Sequence, residues 1–149
     1  MEIRRAVPSD SERLTIIIRA AKAHWGYPAE WLAAWHDSLK ITAEEIEKHA
    51  TFVAEEEGTI MAVAQVQGDG HHAVLEHLWV DPAFHGRGVG RALVQHARGL
   101  FPGTLMVVAD PNAERFYIKV GGRRVGDVAA PMPGAPKRAL PLLEIDAMP

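Results

Sequence analysis

The chain has 149 residues, 48% of them hydrophobic, a formal net charge of −3 and no cysteine. That length suits one domain, residues 1–149, which buries roughly two-thirds of its unfolded surface without covalent staples. The absent cysteines exclude disulfides and thiolate zinc sites, and the mild acidity without a basic stripe argues against a nucleic-acid partner. The first residues carry Glu2, Arg4, Arg5, Asp10, Glu12 and Arg13 rather than an apolar signal core. No apolar run reaches the ~20 residues that span a bilayer. We expect a soluble, cytoplasmic protein with no membrane partner.

In chain order, "EIRRAV" (Glu2 to Val7) reads as a short edge strand. Ser9 and Glu12 have capping-box spacing and open a helix whose apolar stripe is Leu14, Ile17, Ile18 and Ala21. Gly26 and Pro28 break it. A second helix puts Trp31, Leu32, Trp35 and Leu39 on one face, and a third starts at a Thr42–Glu45 box with Ile41 and Ile46 as its staple. "TFVAEE" and "TIMAVAQVQ" are strands joined through Glu57-Gly58, and Gly68-Asp69-Gly70 forms the next turn. "AVLEHLWV" (Ala73 to Val80) is another strand. Leu93, Val94, Ala97 and Leu100 then form a helical stripe. "TLMVVA" (Thr104 to Ala109) has the apolar run of a strand buried on both faces. Asp110 and Pro111 suit N-cap and N1 of a last helix with Ala113, Phe116, Tyr117 and Val120 on its face and Gly121-Gly122 at its end. Two strands close the chain, near Arg123 to Val128 and Ala139 to Ile145. The order β-α-α-α-β-β-β-α-β-α-β-β predicts an α/β fold with a mixed sheet of about seven strands flanked by helices, including a strand–helix–strand crossover from Val80 to Thr104.

At that crossover, "DPAFHGRGVGRAL" packs Gly86, Gly88 and Gly90 between a strand and a helix. Glycine there lets backbone N–H groups approach a ligand at the positive end of a helix, which is how phosphate is held. The dinucleotide fingerprint fails on spacing, because Arg91 or Leu93 stands where its third glycine belongs. No run fits the P-loop pattern.

The stretch "LEHLWVDPAFHGRGVGRALVQHA" instead resembles the acetyl-CoA motif of the GNAT N-acetyltransferase superfamily: a strand ending in Val, an Asp-Pro, then Gln/Arg-x-x-Gly-x-Gly/Ala and a helix. Its six positions fall on His85, Gly86, Arg87, Gly88, Val89 and Gly90, with His85 replacing the usual Gln or Arg. "DPNAERFYIKVGGRRVG" is similar to the family's second signature, through Asn112, Phe116, Tyr117, Lys119 and Gly121; Ala113 comes early, and Gly122 replaces a frequent Phe. The opening "EIRRAVPSD" also looks like the family's usual start.

The resemblance implies a GNAT fold, acetyl-CoA as co-substrate with no metal, and acetyl transfer to an amine by direct attack in a ternary complex. It implies that the loop His85 to Arg91 holds the pyrophosphate, that the main chain of Leu78, Trp79 and Val80 pairs with the pantetheine arm, and that an N–H near Val80, beside a bulge, meets the oxyanion. Asn112 and Phe116 fall in the cofactor half; Asn112 would bond CoA or fix its own helix start. Arg87 and Arg91 would touch phosphate or point to solvent.

A lysine-type amine arrives protonated, so a base is needed. Glu76 is the candidate: simple alternation puts it on one face with Val74 and Leu78, an odd place for a carboxylate unless it is paired or functional. His77 is the alternative base. Tyr117, protonated at neutral pH, is the candidate acid for the leaving thiolate; as a plain helix-face aromatic it would be core. His71, His72, His77 and His85 are not arranged as metal ligands. His24, Trp25 and Tyr27, in the break between helices, would wall the acceptor site and could hold a cationic amine. The acceptor itself is unreadable, a longer acyl-CoA stays open, and a homodimer, common in that family, leaves no mark in the sequence. The contrasting function is a CoA-binding sensor or interaction module without turnover.

Overall fold

A computed structural model describes residues 1–68 and 71–146. Its elements are β1 (Glu2–Arg5), α1 (Ser11–His24), α2 (Ala29–Trp35), α3 (Ala43–Lys48), β2 (Ala50–Glu56), β3 (Thr59–Gly68), β4 (Ala73–Val80), α4 (Val89–Leu100), β5 (Leu105–Val108), α5 (Glu114–Lys119), β6 (Gly122–Ala129) and β7 (Ala139–Ile145). This is the predicted order. The strands form one seven-stranded sheet, β1-β2-β3-β4-β5-β7-β6, in which only β4 and β5 run parallel among the paired neighbours. The expected crossover through α4 therefore joins adjacent strands. Asp69 and Gly70, expected to form a turn with Gly68, lie outside the described residues.

Period-two alternation in β2 and β3 divides the core. Phe52, Ala62 and Ala64 face one side, against Leu93, Val94 and Ala97 of α4. Val53 and Val63 face the other, against Leu14, Ile17 and Ile18 of α1 and Ile41 and Ile46 around α3. Each large aliphatic side chain so buried contributes roughly 1.5–3 kcal/mol. The β2–β3 hairpin turns at Glu57 and Gly58, both at positive φ (51° and 81°), the backbone that matches strand twist.

Local departures have local causes. Ser9 does not cap α1: residues Pro8–Asp10 form a 3-10 turn, and the Asp10 carboxylate takes the Val7 N–H at 2.9 Å while pairing with Arg4. Asp reaches back over three residues where Ser9 was expected to act. The Thr42 box is as predicted, with Glu45 N–H donating to Thr42 Oγ1 at 3.1 Å and the Ile41 and Ile46 staple buried. α2 has no buried residue and ends in a 3-10 turn before Leu39. Leu100, at the end of the α4 stripe, is exposed. β5 is not buried on both faces, because Val108 is exposed while Leu105 and Val107 are buried. Asp110 caps a 3-10 turn, Pro111–Ala113, before α5 begins at Glu114.

Candidate active site

β4 and β5 pair at only two positions, Ala73–Leu105 and Val74–Met106. Beyond these the strands part, and a cavity of about 1040 Å³ opens between them. Its walls come from β4, from the ends of β5 and α1, from the loop entering α4, and from α5.

In β4 the register against β3 slips: Val66 faces Leu75, and Gln65 faces His77. Glu76 is the extra residue, a β-bulge. The bulge overturns the alternation expected for Glu76. Leu78 opposes Ala64 on the α4 side, whereas Val74 opposes Gln67 on the other, so the two do not share a face. Glu76 is exposed, lines the cavity, and has no ion-pair partner among the described residues. His77 is half-buried and its Nδ1 accepts the Trp79 indole N–H at 2.9 Å. Burial holds its pKa below the ordinary value, against the opposing pull of Glu76 and Glu45. Burial thus favours the neutral imidazole, and with Nδ1 occupied as an acceptor the neutral ring carries its proton on Nε2.

The glycine loop owes its path to three different requirements. Gly86 and Gly88 have φ of 77° and 76°, a backbone that costs an L-residue roughly 1–2 kcal/mol. Gly90 has ordinary dihedrals, but a Cβ there would lie 3.3 Å from Phe116 and 3.4 Å from Val80. Gly88 is the N-cap of α4, and the first helical bond runs from Ala92 N–H to Gly88 O at 3.1 Å. The amides of Val89, Gly90 and Arg91 therefore precede the ladder and are free to bind an anion at the cavity edge. Arg91 lines the cavity. Arg87 does not: it pairs with Glu56 at 2.7 Å and stacks over Phe84. His85 Nε2 donates to Val80 O at 3.1 Å, and its ring meets His24 edge-on at 5.0 Å.

Tyr117 on α5 is only 5% exposed and packs edge-on against Phe116. It lines the cavity, and its hydroxyl has no hydrogen-bond partner among the described residues. Burial, reinforced by the Asp110 carboxylate, pushes its pKa far above the ordinary value.

Asp110 is the centre of a network that sequence reasoning saw only as a helix cap. Its carboxylate accepts from Lys22 Nζ at 2.7 Å, from Tyr27 Oη at 2.8 Å and from the Asn112 amide N–H at 2.8 Å. Burial would raise its pKa, but those donors outweigh burial and leave it lowered. Burial and the same carboxylate raise that of Tyr27. The Asn112 side chain also donates to Tyr27 Oη at 3.1 Å and to Asp110 Oδ1 at 3.0 Å, while the cap of its turn is supplied by Asp110. Tyr27, Trp31 and Trp35 form an aromatic cluster, with Lys22 Nζ 4.4 Å from the Trp35 ring and the Arg138 guanidinium over all three rings. Trp25 lines the cavity; Tyr27 instead anchors the network. Lys22 was readable: it falls on the buried stripe of α1, four residues after Ile18. Arg138 lies in a loop without periodicity and gave no signal. Among the described residues no group of three His, Asp or Glu side chains is placed to hold a metal, and no helix is long and apolar enough to cross a membrane.

This split sheet with a glycine loop over its opening defines a class. The acetyltransferase (GNAT) family model matches residues 18–121, and the chain belongs to that family. A curated relative, the peptidyl-lysine N-acetyltransferase YjaB of Salmonella typhimurium, is 38% identical over 66 residues, 40% of this chain and 46% of its own length. The chain thus matches less than half of that relative. Two solved structures share the fold. A GCN5-related N-acetyltransferase from Rhodopseudomonas palustris has a TM-score of 0.81 at 21% identity, covering 97% of this chain and 94% of the other. The PaiA N-acetyltransferase of Thermoplasma acidophilum, in complex with coenzyme A, has 0.78 at 17%, covering 97% and 98%.

Proposed function

We propose that the chain is an acetyl-CoA-dependent N-acetyltransferase, working as one domain. The carrying observation is Tyr117: a buried ring whose hydroxyl has no partner among the described residues, facing the same cavity as the free amides of Val89, Gly90 and Arg91. Family membership and the coenzyme A held by the PaiA relative support the co-substrate. The donor set suits its chemistry, since amides at a helix start and Arg91 match a pyrophosphate.

Acetyl-CoA supplies a thioester carbonyl to the acceptor amine. The loop amides and Arg91 hold its phosphates, and the unpaired edge of β4 around Leu78 to Val80 is open to an extended arm. Glu76, on the bulge, takes the ammonium proton through water. Tyr117 gives its proton to the departing thiolate as the C–N bond replaces the C–S bond, and the second proton shed by the nitrogen as the amide forms returns to the phenolate. His77 is a poor base, because its acceptor nitrogen already holds the Trp79 N–H. Arg87 is spent on Glu56 and contributes less than Arg91.

The test is thermal unfolding with and without acetyl-CoA, with NAD and ATP as controls. At ~100 times Kd a ligand adds about 2.7 kcal/mol, or about 5–10 °C in Tm for a chain of this size. A shift with acetyl-CoA alone is expected, followed by thiol release on an amine panel. No shift at millimolar acetyl-CoA would overturn the reading.

A further inference from the structure

We infer that the acceptor is a small amine carrying a carboxylate, and that Arg138 binds that carboxylate; the inference rests on the transferase reading above. Arg138 lines the cavity from the β6–β7 loop. Its guanidinium lies 5.7, 5.5 and 5.2 Å from the ring centres of Tyr27, Trp31 and Trp35. Tyr27 and Trp31 stand at 88° and 71° to Trp35, so the guanidinium can lie flat on one ring plane at most, and the N–H groups not turned to the rings are left for an oxyanion. The side chain donates to Ala130 O at 3.3 Å and also acts on the Tyr27 hydroxyl beside it, and no carboxylate among the described residues pairs with it.

The rest of the wall sharpens the choice. Lys22 lies against the same rings but is neutralised by Asp110 at 2.7 Å, so it asks for nothing from a ligand. Trp31 Nε1 donates to Pro133 O at 2.9 Å, clasping α2 to the β6–β7 loop and holding Arg138 in place. Glu76 and Arg138 then face the cavity as opposite charges, neither ion-paired among the described residues. An amine directed to Glu76 and a carboxylate directed to Arg138 match both. A polyamine would set a cation against Arg138, and a plain alkylamine would leave its charge without a partner.

The experiment uses matched amines: phenylalanine against 2-phenylethylamine, lysine against cadaverine, and a C-terminally amidated peptide with a free N-terminus. Thiol release is measured with each, and thermal shift with each amine is measured with and without CoA. The amino acids are expected to have kcat/KM at least tenfold above their decarboxylated partners. Arg138→Gln should lower kcat/KM for the amino acids roughly 10- to 100-fold, the scale of a hydrogen bond to a charged group. It should leave the decarboxylated amines within about twofold. Arg138→Lys should restore part of the loss. An unchanged acetyl-CoA thermal shift in Arg138→Gln reports that the fold survives. Equal rates within each pair, preference for the amidated peptide, or an equal fall for both members in Arg138→Gln would overturn the inference. So would the absence of any carboxylate-dependent thermal shift. Loss of acetyl-CoA binding in the wild type would instead sink the transferase reading, while the amine shifts on the protein alone still judge Arg138.

Discussion

Lys22 Nζ on α1 and Asp110 Oδ2 after β5 meet at 2.7 Å across 88 residues of sequence. Both side chains are about nine-tenths covered, at 11% and 9% exposure. The pair ties α1 to the strand on the far side of the split in the sheet. Removing one member leaves the other charge buried and alone, which costs about 3–5 kcal/mol. Lys22→Met should therefore lower Tm by about 6–20 °C. The double variant with Asp110→Asn should lose less than the sum of the two single changes, because the pair acts as a unit. Equal and additive losses in thermal unfolding would show that the bridge is decoration.

Acid should weaken the same link. Asp110 has a pKa lowered in the folded state, so the unfolded chain binds its proton first. Its contribution is whole above the unfolded value of about 3.9 and fades as pH falls through the lower folded value. Arg4 holds Asp10 below the ordinary carboxylate range and adds to the same limb. Thermal midpoints from pH 6 to 2 should fall less steeply in Asp110→Asn than in the wild type.

Much of this was legible. The capping box at Thr42, the Glu57-Gly58 hairpin and the α4 stripe are local, and local rules found them. The glycine loop was placed correctly, but its glycines divide between dihedral need at Gly86 and Gly88 and side-chain packing at Gly90. Only the fold brings Phe116 to Gly90, so spacing could not separate the two causes. The bulge at Glu76 was likewise hidden: it is a mismatch between two strands, and one strand read alone keeps simple alternation. The Asp110 network and the Arg138 stack join segments far apart in sequence, so no window of sequence contained them.

The two glycine causes predict different substitution patterns. Gly88→Ala should cost roughly 1–2 kcal/mol from its positive φ, and Gly88→Asn less, because Asn tolerates that backbone and nothing crowds the site. Gly90→Val should cost roughly 1–3 kcal/mol by overlap with Phe116 and Val80. Phe116→Leu in the Gly90→Val background should recover part of that loss and should recover none in Gly88→Ala. Denaturant midpoints of the five variants decide it.

His77 should make stability pH-dependent in the neutral range. Burial lowers its folded pKa, so its contribution is whole above the unfolded value of about 6.5 and is lost as pH falls. Between pH 7 and 5 the wild-type Tm should drop more than that of His77→Gln. Parallel slopes would mean that the imidazole charges without penalty where it sits.

Glu76 and Tyr117 can be told apart by pH. Glu76 is exposed and unpaired among the described residues, so Glu76→Gln should change stability by less than about 0.5 kcal/mol while lowering kcat about 10²- to 10⁴-fold near pH 7. As pH rises toward the amine pKa of about 10.4, more acceptor arrives already neutral and the deficit should shrink. Tyr117→Phe removes a hydroxyl without a partner among the described residues and should also spare stability. Its rate deficit should stay level from pH 6 to 9, because burial keeps the phenol protonated throughout that range. Thiol release measured across the range should therefore show a sloping deficit for one variant and a flat one for the other. Two flat deficits would remove Glu76 as the base. A Tyr117→Phe deficit that vanishes within the range would mean that the proton for the thiolate comes from elsewhere.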